Sequence, residues 1–430
     1  MEATITTWTS LIQPFLMIFT HPTAQVFTRL LVGWVLSTGR RTVTGMIRGA
    51  DPDGTRAHDA YHRFFPDAAW AMDELWRRLV LLLVALFYPT GTILTHLDDT
   101  LYRRSGRKVE GAGWWRDAVR STGTKVVHAW GLNLVVLTIQ VQPPWGGEPL
   151  GLPILMRVHH KKGPPPIKLA EQMLEQLADW LPERRFLACF DGFYASLAGA
   201  EINRTHLISR MRCDAAIYDL PPTRRPKGKR GPNPKKGRRL PTPEQMAKQN
   251  RSWTGVTTIE RGQQKHRLVY ARTVIWYKVS RKPVLLVISR DPTGKEKDDF
   301  FFTTDLTMKP AEVVGHFADR WCIEDTFKNT KQLLGGQQPQ TWKRRGPERA
   351  AALSLWLYAL VWLNYLKQKK DQQTFWLWPW YTSKATPSFA DALTSLRRAL
   401  WTEKIKAMFG NRVVHDINYE FLIESLSSAA

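Results

Sequence analysis

Residues 317–331 read Phe-Ala-Asp-Arg-Trp-Cys-Ile-Glu-Asp-Thr-Phe-Lys-Asn-Thr-Lys, with an acid set between two cations. Phe317, Arg320, Glu324 and Lys331 follow one another at intervals of three, four and seven. On a single helix those intervals place all four side chains on one face. A carboxylate flanked by fixed cations suits a site that handles a hard metal ion and a phosphate together. Such a site needs more than one carboxylate. The sequence offers two others in strand-like settings: Asp98, closing ILTHLDDT (93–100), and Asp191, closing the apolar part of RFLACFDGFYA (185–195). Asp99 is an alternative first acid, because it stands beside Asp98. Carboxylates on neighbouring strands and a packed helix converge on one point. Two Mg²⁺ ions about 3.5–4 Å apart at such a point activate an attacking oxygen and stabilise a leaving one in phosphodiester chemistry. Taken singly, each acid has a plainer use as a turn former, a helix cap or a solvated helix residue. The joint pattern of order, strand context and flanking cations is what favours the chemical reading.

The elements that must position these acids can be read from hydrophobic spacing. Residues 1–90 carry apolar positions at helical intervals, among them Phe15, Ile18, Val26, Leu30, Leu31 and Trp34, and predict a helical N-terminal domain, whose basic stretch at 39–49 suits either a DNA-binding element or a solvated helix face. From 91 to 212 the spacing changes. Strands are predicted at 93–100, within 125–141, at 152–160, from 185 and at 206–212, with a helix over 167–180. Residues 213–305 predict a basic linker and a β insertion, with strand-like runs at 253–260, 266–280, 283–289 and 300–304. One helix is expected from about 310 to 334 within a segment 306–335, and 336–430 reads as a helical C-terminal domain. The fold class is α/β. The apolar run 350–363 is too short to cross a bilayer and reads as a buried helix.

Composition points to the partner. The 430 residues carry a net charge of +24, which fits a polyanion such as nucleic acid; a membrane-surface or ribosome-like protein is the bland alternative. Between Arg224 and Arg239 nine of sixteen residues are basic: Arg224, Arg225, Lys227, Lys229, Arg230, Lys235, Lys236, Arg238 and Arg239. This run suits phosphate neutralisation or a solvated linker. Three cysteines in no zinc spacing argue against a disulfide framework or a zinc module and fit a reducing cytoplasm. The N-terminus lacks the basic start and cleavage site of a secretory signal. His96, beside the first acid, reads as a packed neighbour rather than a ligand.

With these residues in view, the chain resembles the DDE transposases of bacterial insertion sequences, in the branch marked by Tyr-x2-Arg-x3-Glu-x6-Lys. Phe317, Arg320, Glu324 and Lys331 stand at that spacing, and Asp98-Asp99-Thr100 matches the Asp-x-Thr setting of the family's first acid. The resemblance covers roughly residues 90–335. It implies a ribonuclease-H-like catalytic core with an antiparallel β insertion, flanked by helical domains. It also implies Asp98, Asp191 and Glu324 as catalytic metal ligands for two Mg²⁺ ions, with Mn²⁺ as a substitute. The implied activity is cut-and-paste transposition: cleavage at terminal inverted repeats, then attack of the freed 3′-hydroxyl on target DNA. Implied partners are double-stranded DNA and further copies of the chain, at least a dimer, in a bacterial, nucleoid-associated setting without a membrane. Arg320 and Lys331 would bind phosphates, and Lys108, in the loop after the first acid, would meet DNA. Trp253 and Trp276, in the β insertion, are candidates for stacking on a flipped base, with core packing the plainer role for both. Phe317 departs from the signature by lacking the tyrosine hydroxyl, which predicts altered DNA-end contacts. Two other readings stay open: an inactive domesticated DNA-binding descendant, and a nuclease of the same fold without strand transfer.

Overall fold

Five helices open the chain: α1 (Glu2–Leu16), α2 (His21–Leu36), α3 (Val43–Ala50), α4 (His58–Phe64) and α5 (Met72–Phe87). The structure is a computed structural model, and it describes residues 2–222, 233–368, 380, 382–410 and 417–428. The helical spacing of the apolar residues explains these elements: Val26, Phe27, Leu30, Leu31 and Trp34 all lie on the buried side of α2. α2 and α3 cross so closely that a Cβ on Gly33 would stand 2.0 Å from the Met46 carbonyl oxygen, which restricts position 33 to glycine.

A ten-stranded sheet follows. Its first half comprises β1 (Ile93–Arg103), β2 (Gly113–Arg116), β3 (His128–Val141), β4 (Leu150–His159), β5 (Phe186–Phe190) and β6 (Thr205–Arg210), with α6 (Pro166–Trp180) between β4 and β5. The run at 125–141 forms one long strand, and 205–210 forms the strand expected near 206. After α7 (Pro243–Gln249) come β7 (Thr254–Glu260), β8 (Gln263–Val274), β9 (Val284–Arg290) and β10 (Asp299–Thr303). The strand order is β2-β3-β1-β5-β6-β10-β9-β8-β7, with β4 also paired to β3. β1, β5 and β6 are mutually parallel, and the other pairings are antiparallel. The four strands of the β insertion therefore extend the same sheet, joined through β10 beside β6.

The expected helix over 310–334 is two helices, α8 (Pro310–Asp319) and α9 (Cys322–Gln332). α10 (Gly346–Leu366), α11 (Phe389–Phe409) and α12 (Ile417–Ser428) complete the chain. α10 has no polar face and is buried nearly throughout, as its apolar run predicts. Its Trp356 meets Phe15 of α1 edge-on at 4.8 Å and packs on Phe27 of α2, so the N-terminal helices and the sheet share one core. Burial of a large side chain of this kind contributes about 1.5–3 kcal/mol. Among the described residues no helix is long and apolar enough to cross a membrane.

Candidate active site

Strand register places the first two acids together. β1 and β5 run parallel, with Leu97 opposite Phe190 in the last paired step. One residue further along each strand stand Asp98 and Asp191. Adjacent strands lie about 4.8 Å apart, and residues in register point to the same face. Strand alternation then separates Asp98 from Asp99. The even-numbered side chains of β1 face the helices: His96 meets Cys322 at 3.1 Å, Asp98 accepts from Arg320 Nη1 at 2.6 Å, and Thr100 Oγ1 accepts from Lys331 Nζ at 2.6 Å. Asp99 takes the other side, where the Tyr194 hydroxyl donates to it at 3.2 Å. Asp191 caps the 3-10 turn Gly192–Gly199 by accepting from the Phe193 N–H at 3.0 Å.

The break between α8 and α9 corrects the single-stripe reading of residues 317–331. Arg320 and Trp321 fall at the junction, so Phe317 belongs to a different helix from Glu324 and Lys331. Phe317 is buried in a satellite core with Val313 and Val314, its ring 4.7 Å from Phe301. The missing hydroxyl is explained by that apolar packing, although one edge of the ring still lines the cleft beside Asp191. Arg320, Glu324 and Lys331 do converge over β1.

The junction is held by Asp319. It accepts from the Arg261 N–H at 2.9 Å and from Gln140 at 3.2 Å. Arg261 and Gly262 form the two-residue β7–β8 turn, both with positive φ (52° and 74°), as a tight hairpin of this twist requires. Arg261 also pairs with Glu148 at 2.8 Å and lies over the Trp321 ring. The insertion is thus fastened to the first half of the sheet at the point where Arg320 is aimed.

Electrostatics mark Asp98 as the unusual carboxylate. Burial pushes its pKa up to about 7; the Arg320 guanidinium opposes that rise, and the negative charges of Asp191 and Glu324 add to it. Asp99 is also raised, by burial first, against hydrogen bonds from Tyr194 and Asn133. Lys331 is lowered to about 8, chiefly by burial and then by Arg103. His96 is neutral: burial, with Arg320 and His316, lowers it to about 3. It is a packed neighbour of the site.

Carboxylate oxygens are the donors that hard divalent cations take. Asp98 fits that use, being desolvated and under the field of two further acids, with the Arg320 guanidinium on one oxygen and the Asp99 N–H donating to the other at 2.8 Å. Among the described residues, however, no group of three or more His, Cys, Asp or Glu side chains is drawn close enough to hold a metal ion. The acids share one region without forming a closed cage.

Other sequence candidates are scattered. Trp276 is buried against Phe302 at 5.4 Å, and Trp253 is half-buried under the Arg290 guanidinium at 4.2 Å, so both pack the insertion rather than face the acids. Lys108 is exposed on the loop after β1. Lys235, Arg238 and Arg239 are exposed, whereas Lys236 lies over the Tyr218 ring at 3.9 Å. Tyr218 bridges Arg239 and Ile275, so this end of the basic run is tied to the fold. Arg224, Arg225, Lys227, Lys229 and Arg230 lie outside the described residues. The sequence reading passed over Trp321, Arg210 and Arg261, which line a cleft of about 430 Å³ with Asp191, Phe317 and Arg320. Trp321 is 48% exposed, and its place directly after Arg320 was the available signal.

Residues 14–283 match the family model described as DDE superfamily endonuclease, a span that holds Asp98 and Asp191 and stops before Glu324. No curated protein matches the chain. With more than half of its length matched, the chain belongs to the DDE superfamily endonucleases.

Proposed function

We propose that the protein is a DNA transposase of an insertion sequence, cleaving at terminal inverted repeats and joining the 3′-OH ends to target DNA. The observation that carries this reading is the register: Asp98 and Asp191 stand together one step beyond the last paired residues of β1 and β5, beneath the helix that bears Glu324 and Lys331, although β1 runs on to Arg103 and Asp98 does not close it as the sequence predicts. The order β4-β3-β1-β5-β6, with β1, β5 and β6 parallel, supports a ribonuclease-H-like core. In this reading Asp98, Asp191 and Glu324 hold divalent ions, Mg²⁺ or Mn²⁺. Bound there, the ions supply Lewis-acid activation of the attacking oxygen and charge stabilisation at the scissile phosphate.

The chain's own groups do the rest. Arg320, buried, and Lys331, half-buried, are donors on the acid-bearing face, and phosphate oxygens suit both as charge-assisted partners. Asp99, turned toward Tyr194, is left as a structural neighbour rather than the first acid. The cleft beside Asp191, about 430 Å³ with Trp321 in its lining, suits an unpaired base stacked on that ring.

The test uses DNA bearing the sequences that flank the gene, in Mg²⁺. Wild type is expected to cleave at the ends and to join pre-cut ends to a target plasmid. Asp98→Asn, Asp191→Asn and Glu324→Gln are each expected to abolish both steps. Undiminished cleavage by Glu324→Gln would remove that acid from the site. Cleavage by wild type without joined product would favour a nuclease of the same fold, and no cleavage with retained DNA binding would favour a domesticated binding protein.

A further inference from the structure

A second cavity of about 390 Å³ lies between the end of β1 and the segment after α9. Its lining includes Arg40, Arg103, Arg104, Thr341 and Trp342, and it holds no carboxylate. The walls are fastened by backbone groups. Arg103 N–H donates to Gln337 Oε1 at 2.7 Å, Arg41 N–H donates to Gln338 Oε1 at 2.7 Å, and Glu110 N–H donates to the Trp342 carbonyl at 2.8 Å.

Arg104 is the informative residue. Its Nη1 donates to the carbonyls of Gln337 and Pro339 at 2.7 and 2.8 Å. Its Nε and Nη2 are buried and meet no acceptor among the described residues, and the Thr341 hydroxyl, also in the lining, is in the same condition. Nε–H and Nη2–H form the edge of a guanidinium that grips a planar or tetrahedral oxyanion with two parallel bonds. Arg212, Arg267 and Arg290 each use that same edge on a carboxylate: Asp214, Glu260 and Asp298, at 2.7–2.8 Å. Arg104 has no such acid. Burial lowers its pKa only to about 10, so it is cationic at neutral pH. A buried cation with two unsatisfied donors is costly unless a ligand completes it. Arg103 is already neutralised by Asp117, whereas Arg40 is exposed at the rim. Trp342, 53% exposed, gives the rim an open aromatic face.

We propose that this cavity is a nucleotide subsite that takes a phosphate of the DNA strand on Arg104, Arg40 and Thr341, with a base stacked on Trp342. Because Nε and Nη2 are covered, the phosphate reaches them when the exposed wall at Ser105 and Trp342 shifts aside. The inference rests on the reading of the chain as a DNA-processing enzyme. It adds a fixed point beyond the acids, near the end of β1, that would set how far the strand extends past the scissile bond.

The test is made in EDTA, so that it is independent of cleavage. A short fluorescein-labelled duplex with a single-stranded extension is titrated onto the full chain over a range of salt. The Arg40→Ala/Trp342→Ala double variant changes two exposed side chains and is expected to weaken binding at least about tenfold, since stacking alone is worth about 1–3 kcal/mol per base. It should also flatten the salt dependence by about one phosphate contact. Arg104→Gln, checked by its melting curve, should do the same, with partial rescue by Arg104→Lys. Wild-type affinity and slope in the double variant and in a folded Arg104→Gln overturn the proposal. Inorganic phosphate and dAMP are titrated separately. If they raise the melting temperature through Arg104 while DNA binding ignores all three variants, the cavity serves free nucleotides and the DNA assignment is overturned. Failure of Glu324→Gln to block cleavage would strike the catalytic reading and leave this binding result untouched.

Discussion

Replacing Arg320 with Met tests whether the guanidinium is there to offset the charge of Asp98. The pair is close, at 2.6 Å, and both side chains are largely buried. Asp98 already titrates near 7 rather than near 3.8. A carboxyl raised in the fold is bound to a proton where the unfolded chain has lost its own. Stability therefore falls as pH rises from 3.8 to about 7, by about 1.4 kcal/mol per pH unit, and levels off above. Without Arg320 the folded pKa rises further, so the falling limb continues above 7 in the variant and not in wild type. At pH 6 Asp98 is protonated in both proteins, and the variant's deficit reflects packing alone. At pH 8.5 the deficit should be larger by about 2 kcal/mol, below the roughly 3–5 kcal/mol that breaking a fully buried ion pair can reach. Urea unfolding in EDTA at the two pH values measures this difference. Millimolar Mg²⁺ at pH 8.5 should narrow it by supplying positive charge to the same carboxylate. A deficit equal at both pH values and indifferent to Mg²⁺ would refute the electrostatic account and leave Arg320 as a packing partner of the Phe317 ring, 5.6 Å away.

Three further outcomes follow from particular contacts. Asp51 is buried, which alone would raise its pKa, but hydrogen bonds from Thr55, Tyr61 and the Arg56 backbone hold it down at about 2. Its contribution, on the order of 2 kcal/mol, is complete above pH 3.8 and is lost as pH falls toward 2, so Asp51→Ala should narrow its gap to wild type over that window in acid unfolding monitored by circular dichroism. Trp276→Ala should cost about 3–5 kcal/mol in urea unfolding and leave the DNA affinity of the folded protein unchanged, while Trp321→Ala should do the reverse; equal effects on both readouts would undo the distinction between core and cleft. Gly262→Ala should destabilise strongly, because its Cβ would meet the Gly147 backbone at 2.2 Å with φ at 74°, and a melting temperature within a degree of wild type would show that the turn can move.

Much of the strand plan was legible because short continuous runs of Ile, Leu, Val and Phe, buried on both faces, leave few alternatives over 186–190 and 284–290. α10 was legible for the opposite reason, having no polar face to place in water. The choice between Asp98 and Asp99 was not legible, since both are strand-end aspartates in sequence. It turns on which side of β1 the helices cover, and that is a property of packing. The tryptophans left stacking on a base open in the same way, and the packing role that the sequence made the plainer one is the role both take. Composition cannot tell a ring packed edge-on against Phe302 from one left open at a cleft, and the ring at the cleft, Trp321, lay inside the acid-bearing motif rather than in the insertion.

The helix break shows why spacing alone described the motif incompletely. Offsets of three, four and seven fit one continuous stripe, and nothing in residues 317–331 is a proline or a glycine that would interrupt it. The interruption comes from partners far away in sequence. Asp319 is held by the backbone of Arg261 and by Gln140, and Arg320 is drawn to Asp98 across the junction. A straight helix would carry Arg320 on the same face as Phe317 and could not satisfy both an apolar pocket under Phe301 and a carboxylate on β1. Dividing the segment lets α8 bury Phe317 against the insertion strands while α9 sets Lys331 on Thr100 of β1 and brings Glu324 near enough to act on Asp98. The same residues therefore join the insertion to the acid-bearing face, and a shift of the β7–β8 turn should be felt at Asp98 through Asp319 and Arg320.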